Sequence, residues 1–280
     1  MILVLGATGT VGAETVKALK ANGAKVVAAS RDPKKAEAAL GVPAVAWDFE
    51  QPAGFPAALK GIDALFLLTP PGTLQDVRYA ETAIAAAKAA GVKKIVRLSA
   101  LGAEQNTEGL LYKVEKLVEG SGLAWVHLRP TFFDQNCDEG MLAGIQAGVI
   151  ALPTGDGKTG FIDARDIGAV AAEALSSSKW DTQAINMTGP EALTYADQAR
   201  LISEATGLTV VFKDQTEAEF KAAWKSYGIL EGYIDFMAVL YGFTKAGYTA
   251  QLADGVQKVL GREPISFKQY AKDYAGKLKG

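Results

Sequence analysis

Three glycines, Gly6, Gly9 and Gly12, recur at three-residue intervals in Gly6-Ala-Thr-Gly-Thr-Val-Gly12, with the hydroxyls of Thr8 and Thr10 between them. The stretch has little side-chain chemistry of its own. What it offers is backbone, whose N–H groups a ligand can approach closely where no Cβ intervenes. At the start of a helix those N–H groups carry partial positive charge and attract phosphate. Thr8 and Thr10 would add donors to the same anion. An apolar run, Ile2 to Leu5, precedes the glycines. A helical pattern follows, with Val11, Val16, Ala18 and Leu19 on one side and Glu14, Lys17 and Lys20 on the other. Strand, glycine turn and helix form the front half of a dinucleotide-binding unit. The spacing is G-x-x-G-x-x-G rather than the commoner G-x-G-x-x-G, and a tight turn with no ligand is the competing reading. A triphosphate loop is excluded because no Gly-Lys-Ser/Thr follows.

A second group of residues speaks to which dinucleotide. The strand Ala24 to Ala29 ends in Ser30-Arg31, with Lys34 and Lys35 close behind. NAD-preferring folds place an acid here, on the ribose 2′-hydroxyl. Cations suit a 2′-phosphate, which an acid would repel. The reading is therefore NADP(H), against the plainer one of a solvated basic turn. The next strand, Val42 to Trp47, ends in Asp48-Phe49, where an acid and an aromatic would border the adenine. A loop aspartate serves as often in the turn itself.

The elements that must position these residues alternate regularly. Ala64 to Leu68 is a continuous apolar run, as for a strand buried on both faces, and it exits through Thr69-Pro-Pro-Gly72. An Ala-rich helix runs from about Thr73 to Ala90, and the strand Lys94 to Ala100 brings Ser99 to its carboxyl end. A helix over Leu110 to Glu119 and a strand over Trp125 to Leu128 follow, leading into Arg129-Pro130. Such alternation predicts an α/β fold with a doubly wound parallel sheet, whose ligands lie at the strands' carboxyl edge. Beyond about Gly140 the alternation loosens. The expected organisation is a dinucleotide-binding domain over 1–150 and a smaller, mostly helical substrate-binding portion over 151–280, the two not strictly separable. The later aromatics, Tyr227, Tyr233, Phe236, Tyr241, Phe243 and Tyr248, are core by default, with a few facing a ligand.

Composition narrows the function classes. The chain has 280 residues, 49% apolar and 21% charged, with formal net charge −2 and a pI near 5.6. No basic face offers itself to nucleic acid or anionic lipid. One cysteine, Cys137, rules out an internal disulfide and fits a reducing compartment. With a single histidine, His127, a metal centre is not expected. His127 lies in a strand and reads as a satisfied structural residue, and Cys137 as a small apolar filler. The first strand starts at the N-terminus, so no leader peptide is expected, and no apolar run reaches membrane-spanning length. The expectation is a cytoplasmic protein acting on a small molecule, as a monomer or homodimer.

Several of these stretches taken together resemble the NmrA-like branch of the atypical short-chain dehydrogenases/reductases. They are Gly6 to Gly12, Ser30-Arg31, Leu68 to Gly72, Arg97-Leu-Ser-Ala-Leu-Gly102, Ser121-Gly-Leu123 with Leu128 to Phe133, Asp163-Ala-Arg-Asp-Ile167, and Ser266 to Tyr274. The resemblance spans essentially the whole chain and implies a Rossmann fold. It also implies one of two activities: NADP(H)-dependent reduction of a hydrophobic, aromatic carbonyl or quinone-type acceptor, or redox sensing without turnover. By position, Gly6, Thr8, Gly9, Thr10, Val11 and Gly12 would hold the pyrophosphate, and Arg31 the 2′-phosphate. Thr69 and Pro70 would line the ribose side, and Ser99 with Pro130 to Phe133, Phe132 among them, would flank the nicotinamide. The wider superfamily uses Ser with Tyr-x-x-x-Lys as a proton-donating triad, matched here by Ser99, Tyr112 and Lys116. A second register, aligning Glu115 and Ser121-Gly122 with the family's helix, puts Leu111 and Thr107 at the Lys and Tyr positions and leaves no triad. Phe132, Phe133 and the stretch from Tyr227 to Phe243 are the expected pocket residues.

Overall fold

Seven strands lie side by side in the order β3-β2-β1-β4-β5-β6-β8 in a computed structural model that describes residues 1–70 and 75–280. They are β1 (Ile2–Val4), β2 (Val26–Ser30), β3 (Ala44–Ala46), β4 (Ala64–Leu67), β5 (Lys94–Leu98), β6 (Ala124–Pro130) and β8 (Gln183–Met187). Every pairing is parallel, for example Ile2 opposite Val26 on one side and Ala64 on the other. Helices on both faces explain why β1 and β4 are wholly buried and read as unbroken apolar runs. The order runs outward from β1 to β3, then restarts at β4 and runs the other way. The switch point between β1 and β4 is where such sheets bind ligands, at the carboxyl edge.

Helix Thr10–Ala21 buries Val11, Gly12, Thr15, Val16 and Leu19, the side anticipated from the sequence. Its partner is helix Ala164–Ser176, which crosses it at Gly168. A Cβ on Gly168 would lie 2.6 Å from the Glu14 carbonyl carbon, so the crossing requires a glycine there. Helix Pro33–Leu40 starts at an Asp32 cap and stops at left-handed Gly41. The Ala-rich helix spans Asp76–Ala89. Its expected start at Thr73, and Pro71 and Gly72 before it, lie outside the described residues. Helix Leu110–Glu119 agrees with its sequence reading.

The chain forms two interleaved compact units. The first comprises Met1–Pro130, Ala164–Met187 and Gly255–Arg262, and the second Thr131–Asp163, Thr188–Asp254 and Glu263–Gly280. A single division at residue 150 is thus too simple: helix Ala164–Ser176 and β8 return to the sheet unit, whereas residues 131–150 have already left it. The core of the first unit includes Leu3, Leu5, Val27, Trp47, Phe55, Leu65 and Ile95. The second pairs β7 (Val149–Leu152) with β9 (Val211–Asp214) and is otherwise mostly helical. Its core is aromatic, with Phe161, Tyr195, Phe220, Tyr241, Phe267 and Tyr270. Capping boxes at Thr194/Asp197 and Thr216/Glu219 start two of its helices. No helix among the described residues is long and apolar enough to cross a membrane.

Candidate functional site

Gly6, immediately past β1, takes a left-handed φ of +61°, and a Cβ there would stand 3.0 Å from a Leu68 methyl. The glycine turn and the end of β4 are therefore neighbours at the switch point. The Gly9 N–H donates to the Gly6 carbonyl at 2.9 Å, closing the turn, and Gly9 caps helix Thr10–Ala21. Gly12 is demanded from within, since its Cβ would fall 2.1 Å from the Gly6 carbonyl oxygen. Gly9 is not. Its φ of −86° suits any residue, and a Cβ there would meet only the Gly6 oxygen at an ordinary 3.4 Å. The need for smallness at Gly9 falls on whatever approaches from outside.

The helix start has the electrostatics of an anion site. No side chain caps it and no acid lies in its first turn. Its first N–H groups thus keep their partial charge for a ligand, and the helix runs twelve residues behind them. Thr8 and Gly9 are exposed, Thr10 is half-buried, and Val11 and Gly12 are buried beneath them. Arg31 follows β2 and is exposed; among the described residues no ion pair or hydrogen bond engages its guanidinium. These features fit a dinucleotide diphosphate and a further phosphate one strand away.

Asp48 follows β3 and holds its own turn together. Its carboxylate accepts from the Glu50 N–H at 3.0 Å and from Gln51 Nε2 at 2.9 Å. Beside it Phe49 stacks on Tyr79 with centroids 4.9 Å apart. Thr69 is buried and Pro70 exposed at the end of β4. Because the strands are parallel, Gly6, Arg31, Asp48, Thr69 and Ser99 all emerge at one edge of the sheet.

Ser99, past the end of β5, belongs to a buried polar chain that the sequence reading missed. Its backbone N–H donates to the Leu128 carbonyl at 2.7 Å and its hydroxyl donates to Glu115 Oε1 at 2.6 Å. Glu115 is fully buried and also accepts from Arg129 Nε at 2.9 Å and Nη2 at 2.6 Å. Arg129 in turn pairs with Glu104 at 3.0 Å. Burial alone would raise the Glu115 carboxyl, but the bonds from Arg129 and Ser99 outweigh it and hold it below the usual carboxylate range. The Pro130 carbonyl closes the edge of β6 by accepting from the Leu101 N–H at 2.9 Å.

Of the residues matched to the catalytic triad, Ser99 bonds to Glu115, while Tyr112 and Lys116 lie together. The exposed Lys116 ammonium pairs with Glu119 at 2.6 Å and sits 5.0 Å over the half-buried Tyr112 ring. The structure thus brings Ser99 to Glu115, and Lys116 to Glu119. Phe132 belongs to the second unit, where its ring stacks on Tyr241 at 5.8 Å. Of the other aromatics proposed for a pocket, Tyr241 is buried in that unit's core, while Tyr227 and Phe243 are exposed.

His127 differs from its sequence reading. It is fully buried and stacked on Trp125 at 4.6 Å, and its Nε2 lies 3.4 Å from Glu119 Oε1 without the geometry of a hydrogen bond. Burial pushes its pKa down to about 4, against the pull of Glu115 and Glu119, so the ring is neutral near pH 7. Glu115, Glu119 and His127 could be drawn as a metal cluster. Their carboxylates, however, already serve Ser99, Arg129 and Lys116. Cys137 is buried and its thiol pushed up by burial, which makes it inert packing.

A doubly wound parallel sheet with a glycine turn, an open helix start and a following cation defines a dinucleotide-binding protein of the Rossmann class. A family model described as NAD(P)H-binding matches residues 6–178. The chain is 38% identical over 281 residues to an NAD(P)H azoreductase of Xenophilus azovorans, covering 98% of each. It is 31% identical over 245 residues to Quinone oxidoreductase 2 of Escherichia coli strain K12, covering 85% of this chain and 86% of that one. The crystal structure of the Escherichia coli NADPH-dependent quinone oxidoreductase QOR2 complexed with NADPH matches with a TM-score of 0.86 at 28% identity, over 98% of this chain and 99% of that chain. The chain belongs to the NAD(P)H-binding family.

Proposed function

We propose that this chain is an NADPH-dependent reductase whose acceptor is a flat, hydrophobic molecule of quinone, azo or conjugated carbonyl type. The observation that carries the reading is the uncapped, acid-free helix start behind Gly6, Gly9 and Gly12, with the unengaged Arg31 one strand away. Names of relatives support the same chemistry, one an azoreductase and another a quinone oxidoreductase. Bound at this edge, the dinucleotide supplies the hydride. The chain's own residues hold and orient it: backbone N–H groups and Thr8 on the diphosphate, Arg31 on the 2′-phosphate, Thr69 and Pro70 along the ribose.

The proton that must follow the hydride comes from water in this reading. In this reading Lys116 serves Glu119, with which it pairs, and not a proton transfer by Tyr112. A quinone or azo acceptor spreads the incoming charge over a conjugated system and does not depend on a protein acid. Tyr112→Phe is therefore expected to keep its rate within about threefold, whereas a working general acid contributes on the order of 100-fold or more.

The test is direct. Wild-type protein mixed with NADPH and a panel of quinones and azo dyes is expected to consume NADPH, read by its absorbance, and NADH more slowly. Saturable NADPH binding with no turnover on any acceptor would overturn the reductase reading in favour of a dinucleotide-sensing regulator.

A further inference from the structure

We propose that Glu115 is a positioning residue that takes the single hydrogen of the Ser99 hydroxyl and so fixes Ser99 as a pure hydrogen-bond acceptor at the ligand edge. There it serves the carboxamide N–H₂ at the nicotinamide end of the dinucleotide, not the reducible atom of the substrate. The inference rests on the reductase reading above.

A serine hydroxyl has one hydrogen and two lone pairs. In this chain the hydrogen is spent on Glu115 Oε1 at 2.6 Å, a short bond to an ionised acceptor. Glu115 cannot readily release it. The carboxylate is fully buried and its charge is held by two bonds from Arg129, so losing the Ser99 donor would leave a buried charge short of a partner. The Ser99 N–H is also committed, to the Leu128 carbonyl. What Ser99 presents beyond this chain is therefore lone pairs alone.

That constrains its partner. A quinone oxygen and an azo nitrogen are both acceptors, and would meet lone pairs with lone pairs. The carboxamide N–H₂ of a nicotinamide is a donor, and Ser99 stands past β5 at the sheet edge, close to the switch point where the dinucleotide belongs. In the triad pattern the serine assists at the substrate oxygen; Glu115 reverses that role here. The sequence separates the two residues by sixteen positions, and only the packing of helix Leu110–Glu119 beside β5 joins them.

The experiment compares NADP⁺ with its 3-acetylpyridine analogue, in which a methyl ketone replaces the carboxamide and removes the N–H₂. Affinities are measured by calorimetry on the full chain, alongside kcat and KM for a quinone. Wild type is expected to bind NADP⁺ about 3- to 10-fold more tightly than the analogue, the worth of one hydrogen bond. Ser99→Ala should weaken NADP⁺ to the level of the analogue, so that it binds the two alike. Glu115→Gln, whose amide N–H₂ can turn to donate to Ser99 and occupy a lone pair, should narrow the same discrimination, and the double variant should lose no more than Ser99→Ala, as expected for groups acting as one unit. Glu115→Asp provides a second route should the glutamine variant fold poorly. It keeps the charge for Arg129 but withdraws it from Ser99, and should also bind both alike. A Ser99→Ala variant that still discriminates, or one whose kcat falls 100-fold with unchanged NADP⁺ affinity, would overturn the proposal. Wild type with no affinity for NADP⁺ would instead defeat the reductase reading beneath it.

Discussion

Replacing Gly9 and Gly12 separately by alanine should produce opposite outcomes from the same added methyl group. At Gly12 the new Cβ would stand 2.1 Å from the Gly6 carbonyl oxygen, 2.7 Å from its carbon and 2.9 Å from the Ala7 Cα. All three are backbone atoms of the turn, so no flexible side chain can swing away. The oxygen contact is more than an ångström short of ordinary packing, and the helix must move off the turn. Overpacking of this kind costs about 1–3 kcal/mol or more. For a chain of this size that lowers Tm by several degrees, at roughly 2–4 °C per kcal/mol. At Gly9 the same methyl meets only the Gly6 oxygen at 3.4 Å, on backbone any residue can adopt. Its cost to folding is near zero, and reduced freedom of the unfolded chain can add about 0.4–1 kcal/mol of stability. Its cost falls on the diphosphate, which loses close approach to the turn. We expect Gly9→Ala to match or exceed wild-type Tm while binding NADPH at least tenfold more weakly. Gly12→Ala should lose both stability and binding. Thermal melts and calorimetric titration on the two variants give the answer. A Gly9→Ala protein with full NADPH affinity would refute the placement of phosphate on this turn.

Two further outcomes follow from other parts of the molecule. Arg31→Ala should weaken NADPH by about 10- to 100-fold, the range for a charge-assisted phosphate contact, and leave NADH nearly unchanged; an equal loss for both would remove Arg31 from the 2′-phosphate. His127 has a folded pKa depressed to about 4 from an unfolded 6.5, so between those values the unfolded chain binds the extra proton. Its contribution to stability is whole above pH 6.5 and drains away as pH falls toward 4. Urea midpoints should fall for wild type between pH 7 and pH 5 and fall less for His127→Phe, and identical slopes would contradict this assignment.

Much of the sheet unit was legible because its information is local. The apolar runs at Ile2 to Leu5 and Ala64 to Leu68, the Asp32 cap with Pro33, and the glycine turn each carry their structure in adjacent residues. Interleaving of the two units was not legible, since nothing near Ala164 signals that its helix returns to cross Thr10–Ala21 at Gly168. The polar chain from Ser99 through Glu115 to Arg129 escaped for the same reason. Glu115 was visible as a helix residue, but its burial and its two partners come from neighbouring strands that only the folded sheet assembles. His127 was placed correctly in its strand, yet its stacking on Trp125 and its approach to Glu119 are encoded by no spacing.

The claim beneath all of this is that backbone amides at the first helix hold a diphosphate while Arg31 selects the extra phosphate. Calorimetric titration of the wild-type chain with NADPH and then NADH examines it without assuming any substrate. The account predicts saturable one-site binding of NADPH, tighter than NADH by tenfold or more. No heat with either nucleotide, or a preference for NADH, would contradict it.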